Sequence, residues 1–431
     1  MKKIGFVGPV ATRSGYGAHA RDILSSLIRS NKYDIKVISL PWGSTPMDAL
    51  DNDDDLSIAI RSRIVPHFTE QPDIFIQISI PNEFQAVGRF NIGITAGIET
   101  TVCAAQWIEG CNRMNLIITT SQHSKDVFEM TSYDQMDKNT NQKVGELRLT
   151  TPVEVLLEGS DIETYFKTDD INIDIDKELK DVKESFAFLF VGHWIQGGLG
   201  ADRKDIGMLI HTFCNAFKDK ATSNKPALIL KTSGATFSII DREECTRKIQ
   251  EVRAMIGPKA PNVYLLHGDL TDSEMNSLYN HPKIKAMVSF THGEGYGRPL
   301  QEFALIGKPV ITSDWSGHID FLKKEYHTLL PGEVKQVDPS AANDWILSNS
   351  SWFVVNYMYA GQILRHVYDN YKEYAEKSRK GIKYLKDNFS IEAMDKVLDD
   401  IMSKYESKIP QQVKLQLPKL KKIELPKLQK I

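Results

Sequence analysis

Cysteine is scarce: Cys103, Cys111, Cys214 and Cys245 are the only four in 431 residues, and no two form a CxxC pair. That spacing points away from a disulfide framework and from a structural zinc site. Long apolar runs are missing too, so no membrane span is expected. Residues 4–7, behind Met1-Lys2-Lys3, are too few and too glycine-interrupted for a secretion signal. An excess of charge of one sign is also lacking. Lys and Arg number 53 against 56 Asp and Glu, a net −3. No global footprint of a nucleic-acid binder results, although a local basic groove stays open. The expectation is a protein of a reducing, cytoplasmic environment.

What is present reads as an ordinary globular enzyme, with 41% apolar and 25% charged residues. The length exceeds what one hydrophobic core usually supports, so two domains are expected. Residues 4–7 are apolar without alternation, as in a strand covered on both faces. Gly8-Pro9 ends them, Ser14-Gly15-Tyr16-Gly17 follows, and residues 18–28 read as a helix. Strand, small-residue turn and helix is a phosphate-binding geometry, with Gly15 and Gly17 as candidates for close backbone approach. It is neither GxGxxG nor a P-loop with its lysine, and a plain tight turn between strand and helix reads as well.

Strand-like segments recur at 34–40, 73–78, 91–95, 116–119 and 153–157, with helical stretches at 102–112 and 124–130. This alternation predicts a parallel sheet covered on both faces. Functional residues of such folds sit beyond the C-terminal strand ends. His19, Glu99 and His123 fall near such ends or at adjacent helix starts and are candidate site residues. The acidic stretch 48–55 lacks calcium-loop spacing and reads as a solvated loop. Residues 162–184 are polar and acidic and read as a connector.

A second α/β unit follows, with strands expected at 186–191, 227–230, 263–266, 286–290 and 309–312. Helices are expected at 206–217, 242–255 and 272–279, and a long helical run at 351–405, broken near 388–390. The expected organisation is an N-terminal Rossmann-like domain over 1–180 and a second Rossmann-like domain over 185–350. Helices over 351–408 pack back toward the first domain, and a basic Pro/Lys/Leu tail covers 409–431. Residues 411–431 hold six lysines against one glutamate, which suits a solubilising tail or a polyanion contact.

The sharpest segment is Thr291-His292-Gly293-Glu294-Gly295-Tyr296-Gly297-Arg298-Pro299-Leu300-Gln301-Glu302. It spans a strand end, a glycine-rich turn and a helix start, with Pro299 suited to a first helical turn. A carboxylate accepts two hydrogen bonds from a vicinal diol, so Glu294 and Glu302 could hold a ribose and a hexose. A glycosidase acid/base pair is the other chemistry open to two carboxylates. Lys204, in Asp202-Arg203-Lys204-Asp205, and Lys231, at a strand end, supply the charge a diphosphate needs.

At this point the chain resembles retaining glycosyltransferases of family 4, the glycosyl transferases group 1 family. Their Glu, seven residues, Glu pattern is matched by Glu294 and Glu302. The resemblance runs through most of residues 1–400. It includes Ser14–Gly17, Thr119-Thr120-Ser121-Gln122-His123-Ser124, Phe190-Val191-Gly192, Arg203-Lys204, the helix start at 270–279 and Thr312-Ser313-Asp314-Trp315-Ser316-Gly317. It implies a GT-B fold, two Rossmann-like domains facing across a cleft, and retention of anomeric configuration without an obligatory metal or cofactor. Glu302 would bind the nucleotide ribose and Glu294 the donor sugar hydroxyls. Gly295, Tyr296, Gly297, Arg298 and Leu300 would surround the donor, and Lys204 would hold the diphosphate of a UDP-sugar co-substrate, with Glu294, Lys204 and Lys231 as the catalytic set. Two departures stand out. Gly192-His193 replaces the family's Gly-Arg, leaving Arg203 or Lys231 to compensate for His193. The first-domain His-Glu-Pro segment is replaced by Thr95-Ala96-Gly97-Ile98-Glu99-Thr100.

The chain also looks like members encoded by tailed bacteriophages, some of which place glucose or arabinose on hydroxymethylated pyrimidines. That resemblance implies 5-hydroxymethylcytosine in duplex DNA as acceptor, inside an infected host cell, with Arg13, Arg89, Arg113 and Lys125 as contributors to a basic face. A polysaccharide, lipid-linked or protein acceptor is the alternative, and a non-catalytic sugar-nucleotide or DNA-binding module is the reading of a different class.

Overall fold

The computed structural model describes residues 1–43, 45–234 and 236–410; the basic-tail reading of 411–431 lies outside them. Among the described residues two parallel six-stranded sheets dominate. The first contains β1 (Lys2–Gly8), β2 (Tyr33–Ser39), β3 (Ile74–Ile78), β4 (Phe90–Thr95) and β5 (Leu116–Thr119). After a side hairpin, β6 (Ser132–Met136) and β7 (Lys143–Arg148), it is completed by β8 (Val153–Val155). Its order is β2-β1-β3-β4-β5-β8. The second sheet is built from β9 (Ala187–His193), β10 (Ala227–Ser233), β11 (Val263–Leu266), β12 (Ile284–Ser289), β13 (Val310–Ser313) and β14 (Thr328–Leu330). Its order is β11-β10-β9-β12-β13-β14.

Helices α1 (Gly15–Ser30), α2 (Asp55–Arg61), α3 (Ala105–Asn112) and α4 (Gln122–Met130) belong to the first half, and α5 (Ile173–Glu178) to the connector. The second half adds α6 (Ile206–Phe217), α7 (Ile239–Ile256), α8 (Asp272–Asn280) and α9 (Arg298–Leu305), followed by α10 (Tyr357–Asp369), α11 (Tyr371–Phe389) and α12 (Ile391–Tyr405). Ile4 and Phe6 of β1 and Phe188, Leu189 and Phe190 of β9 are almost fully buried. Non-alternating apolar strands are what a sheet covered on both faces requires.

The sequence expectation fails at the start of the C-terminal helical run. The helical run expected from residue 351 begins at Tyr357, because Ser351–Val355 forms β16, antiparallel to β15 (Gly332–Gln336). Trp352-Phe353-Val354-Val355 is aromatic and β-branched, a strand composition that a helix-length window obscures.

Helix α12 returns to the first half. Its Met394, Leu398, Ile401, Met402 and Tyr405 join the core formed by Ile4, Phe6, Ile23 and Leu27. Arg29 of α1 grips Asp395 with two hydrogen bonds, 2.9 and 2.7 Å. The strand orders reverse direction between β1 and β3 in one sheet and between β9 and β12 in the other. Such reversals leave a crevice at the C-terminal strand ends, and there the two halves meet.

Candidate functional site

The segment after β1 delivers Gly15 to a cleft of about 430 Å³, the segment after β9 delivers Arg203 and Lys204, and the segment after β12 delivers Glu294 to Arg298. Lys204, Glu294 and Arg203, with Glu99, which also lines the cleft, form one charged chain. Lys204 is ion-paired with Glu294. Arg203 lies 3.8 Å from Glu294 and 3.3 Å from Glu99 of the opposite half. Burial alone would raise the Glu294 carboxyl, but Lys204 and Arg203 outweigh it and hold it below the ordinary carboxylate range. Burial pulls the Lys204 ammonium down, with Glu294 opposing. The loop carrying both cations is fixed from behind, where the Tyr357 hydroxyl donates to Asp205 at 2.6 Å.

Lys231, at the end of β10, lines the same cleft and donates to the Gly268 carbonyl at 2.7 Å, below the Phe237 ring. His193, at the end of β9, has Nδ1 3.2 Å from the Ser233 hydroxyl. Burial lowers its pKa first, and Lys204, Arg203 and Lys231 lower it further. A neutral imidazole thus sits among three cations in a half-enclosed space. Such a field suits a polyanion such as a diphosphate.

The glycines divide by role. Gly15 has no atom within 4 Å of where a Cβ would stand, so it is open to the cleft. At Gly17 a Cβ would meet the Thr12 carbonyl at 2.3 Å, so this glycine serves the turn; its N–H caps α1 by donating to the Ser14 hydroxyl at 3.0 Å. Gly293 and Gly295 serve the contact between halves, since a Cβ there would stand 2.1 Å from the Glu99 carbonyl and 2.2 Å from that of Ala96. Gly297 has φ 105°, the left-handed region glycine tolerates best, and it caps α9.

Of the other expected residues, Leu300 and Glu302 do not line the cleft, whereas Tyr296 and Arg298 do. Leu300 is in the core with Phe303 and Tyr296. The Tyr296 hydroxyl donates to the Glu158 carbonyl at 2.7 Å, tying the turn to the first half, while the residue still borders the cleft. Arg298 donates to Asp22 at 2.5 Å and to Glu158 at 3.1 Å, and lies 3.8 Å from Glu302. Glu302 accepts from the Tyr279 hydroxyl at 3.2 Å, and burial pushes its carboxyl up to about 7. It does not share the ion-paired cluster of Glu294. His19 is buried on α1 with both ring nitrogens unpaired among the described residues, and burial lowers it to about 4. His123 packs edge-on against Trp315 at 4.5 Å and is likewise lowered by burial to about 4. Glu99 reaches the cleft, whereas His19 and His123 do not line it.

Sequence reasoning missed Trp42, Glu158 and Ser233. Trp42 stacks on Tyr16 with centroids 4.0 Å apart, and both border the cleft. Each follows or ends a strand whose C-terminal end faces the crevice, and that position was the available signal. The proposed basic contributors are engaged locally. Arg13 pairs with Asp48 at 2.7 Å and Asp269 at 3.4 Å, Arg89 with Asp73 at 3.3 Å and Lys125 with Glu129 at 3.9 Å. Arg113 donates to the carbonyls of Phe84 and Asn82, both at 2.8 Å. Among the described residues no group of three or more His, Cys, Asp or Glu is placed to hold a metal ion, and no helix is long and apolar enough to cross a membrane.

No protein-family model matches the chain, and no curated protein sequence matches it. Solved structures do. HepE of Anabaena, in complex with UDP and glucose, superposes with a TM-score of 0.58 at 13% identity, covering 94% of this chain and 100% of HepE. Sucrose-phosphate synthase of Thermosynechococcus elongatus gives 0.59 at 10% identity over 95% and 100%. The lipopolysaccharide outer core galactosyltransferase WaaB gives 0.54 at 15% over 93% and 99%. At these identities the likeness is one of fold: the chain has the two-domain α/β GT-B architecture.

Proposed function

We propose that the chain is a retaining, family 4-like glycosyltransferase that moves a sugar, glucose or arabinose, from a UDP-linked donor to an acceptor hydroxyl. The observation that carries this reading is the buried Lys204–Glu294 pair with Arg203, Lys231 and His193 around one cleft between two Rossmann-like sheets. HepE, with the same fold, is solved with UDP-glucose bound. Lys204 and Lys231 stabilise the departing diphosphate, Glu294 accepts from donor sugar hydroxyls, and Glu302 accepts from the ribose diol. As the glycosidic bond to UDP breaks, a phosphate oxygen takes the acceptor proton while the acceptor oxygen bonds to the anomeric carbon on the same face. Neither His19 nor His123 is needed as a base in this scheme. Contact between the halves excludes water and suppresses donor hydrolysis.

The acceptor we propose is 5-hydroxymethylcytosine in phage DNA, supported by the resemblance and by the flat Tyr16–Trp42 stack beside the cleft, on which an extruded base could lie. A glycan acceptor is the second reading. The local pairing of Arg13, Arg89 and Lys125 favours it, because those side chains offer little to a DNA backbone. Incubation with hydroxymethylcytosine DNA and a panel of nucleotide sugars, then mass spectrometry of the digested nucleosides, separates them. A gain of one hexose or one pentose supports the DNA acceptor. Unmodified nucleosides alongside turnover on a glycan exclude it and leave the donor chemistry standing.

A further inference from the structure

A second cavity, about 310 Å³, opens at the other end of the second sheet, where β12 begins and the turn before β13 carries Lys308. It shares no residue with the cleft. Lys167 from the connector, Lys285 at the start of β12, Lys308 and Arg379 of α11 line it together. None of the four has a carboxylate within ion-pair distance among the described residues, unlike Lys204 or Arg298. One carboxylate, that of exposed Asp169, also borders the space. Lys308 donates to the Tyr279 and His281 carbonyls at 2.6 and 3.1 Å, which fixes its stem beside the C-terminus of α8. Lys285 lies over the Tyr371 ring at 5.7 Å. Lys308 is thus held by carbonyls and Lys285 by an aromatic face rather than by carboxylates.

We infer that this cavity binds a small phosphate-bearing anion, of about the size of a sugar phosphate, at a site separate from the donor cleft. The chemistry follows from the count of unpaired cations in one concavity. A phosphate offers acceptor oxygens to ammonium and guanidinium donors arriving from different elements. Unpaired like charges in a partly desolvated site repel one another, and an anion removes that cost. Lys308 carries its mark, with burial first and then Lys285 and Lys167 lowering its ammonium to about 7. The walls also explain what binding would do. Connector, β12, the α9–β13 turn and α11 come from separated parts of the chain, and α11 leads directly into α12, which packs on the first half. A bound anion would brace that return path.

Calorimetric titration of the full chain with inorganic pyrophosphate tests the inference, using Lys204→Ala to silence the cleft. Binding that persists in Lys204→Ala and weakens at least about tenfold when Lys285→Gln or the exposed Arg379→Gln is added supports it. Binding itself should weaken as salt rises, and the effect of each substitution should shrink, as for a charge-dominated contact. Binding abolished by Lys204→Ala alone, or unchanged by both Lys285→Gln and Arg379→Gln, overturns it. Because Arg379→Gln is a surface change, a folding failure of the Lys285 variant leaves the test decisive. Loss of the cavity's binding would not touch the donor reading, which rests on Lys204 and Glu294.

Discussion

Arg203 and Glu99 lie 3.3 Å apart, guanidinium to carboxylate, although one follows the first strand of the second sheet and the other the fourth strand of the first. The same guanidinium is 3.8 Å from Glu294, which is paired with Lys204. The charges around Lys204 are therefore linked across the cleft to the wall formed by the first half. On the proposed reading, a diphosphate entering the cleft would compete with Glu99 and Glu294 for these cations, coupling donor binding to the fit of the halves.

Lys204→Ala should lower kcat/KM by about 10²–10³-fold, the usual loss when one charge-stabilising donor is removed. It also leaves Glu294 buried with only the longer Arg203 contact, so the thermal midpoint should fall. Adding Glu294→Gln should restore the midpoint without restoring transfer. A double variant that regains activity as well would show that Lys204 acts only through folding.

Glu302 gives a pH dependence with a definite sign. Its folded carboxyl lies at about 7 against an ordinary 4.5, chiefly through burial. Its contribution to stability is full below about pH 4.5 and is lost as pH rises through about 7. Binding of a ribose diol needs the ionised form, so UDP affinity should increase over the same upper range. Glu302→Gln should flatten both profiles and weaken UDP binding by about 1–3 kcal/mol. Unchanged affinity by calorimetry would remove Glu302 from the ribose.

Arg298 is the cation shared by Asp22, Glu158 and Glu302. Arg298→Met should destabilise by about 3–5 kcal/mol, because it leaves buried carboxylates uncompensated. Arg298→Lys should recover only part, since a single ammonium cannot serve carboxylates on three sides. Thermal unfolding of the two variants measures both; equal midpoints for Arg298→Met and the wild type would contradict the clamp.

Gly295→Ala places a methyl 2.2 Å from the Ala96 carbonyl. The halves must then separate slightly. Small-angle scattering should show a larger radius of gyration, and transfer should fall while each half keeps its helical content. An unchanged radius with full activity would mean that this close approach is not required.

Much of the sheet core was legible because its strands are buried on both faces and read as short apolar runs, as Phe188-Leu189-Phe190 does. The cluster of Arg203, Lys204 and Glu294 was legible because Glu294 lies in the glycine-rich turn after a strand and Arg203-Lys204 lies just before a helix start. The β15–β16 hairpin was not, since five residues next to a long helical pattern carry little periodic signal. The partners of Arg298 were hidden for a different reason. Asp22 and Glu158 are far from it in sequence and meet it only through packing of the two halves. Trp42 was hidden likewise, since its stack on Tyr16 joins the loop after β2 to the start of α1.

Titration of the protein with UDP, in wild type and Lys204→Ala, tests the central claim most directly. The account predicts one UDP per chain for the wild type and at least about tenfold weaker binding for the variant, of the order of a lost charged hydrogen bond. Absence of binding by UDP and by every other nucleoside diphosphate, in a folded wild-type sample, would contradict it.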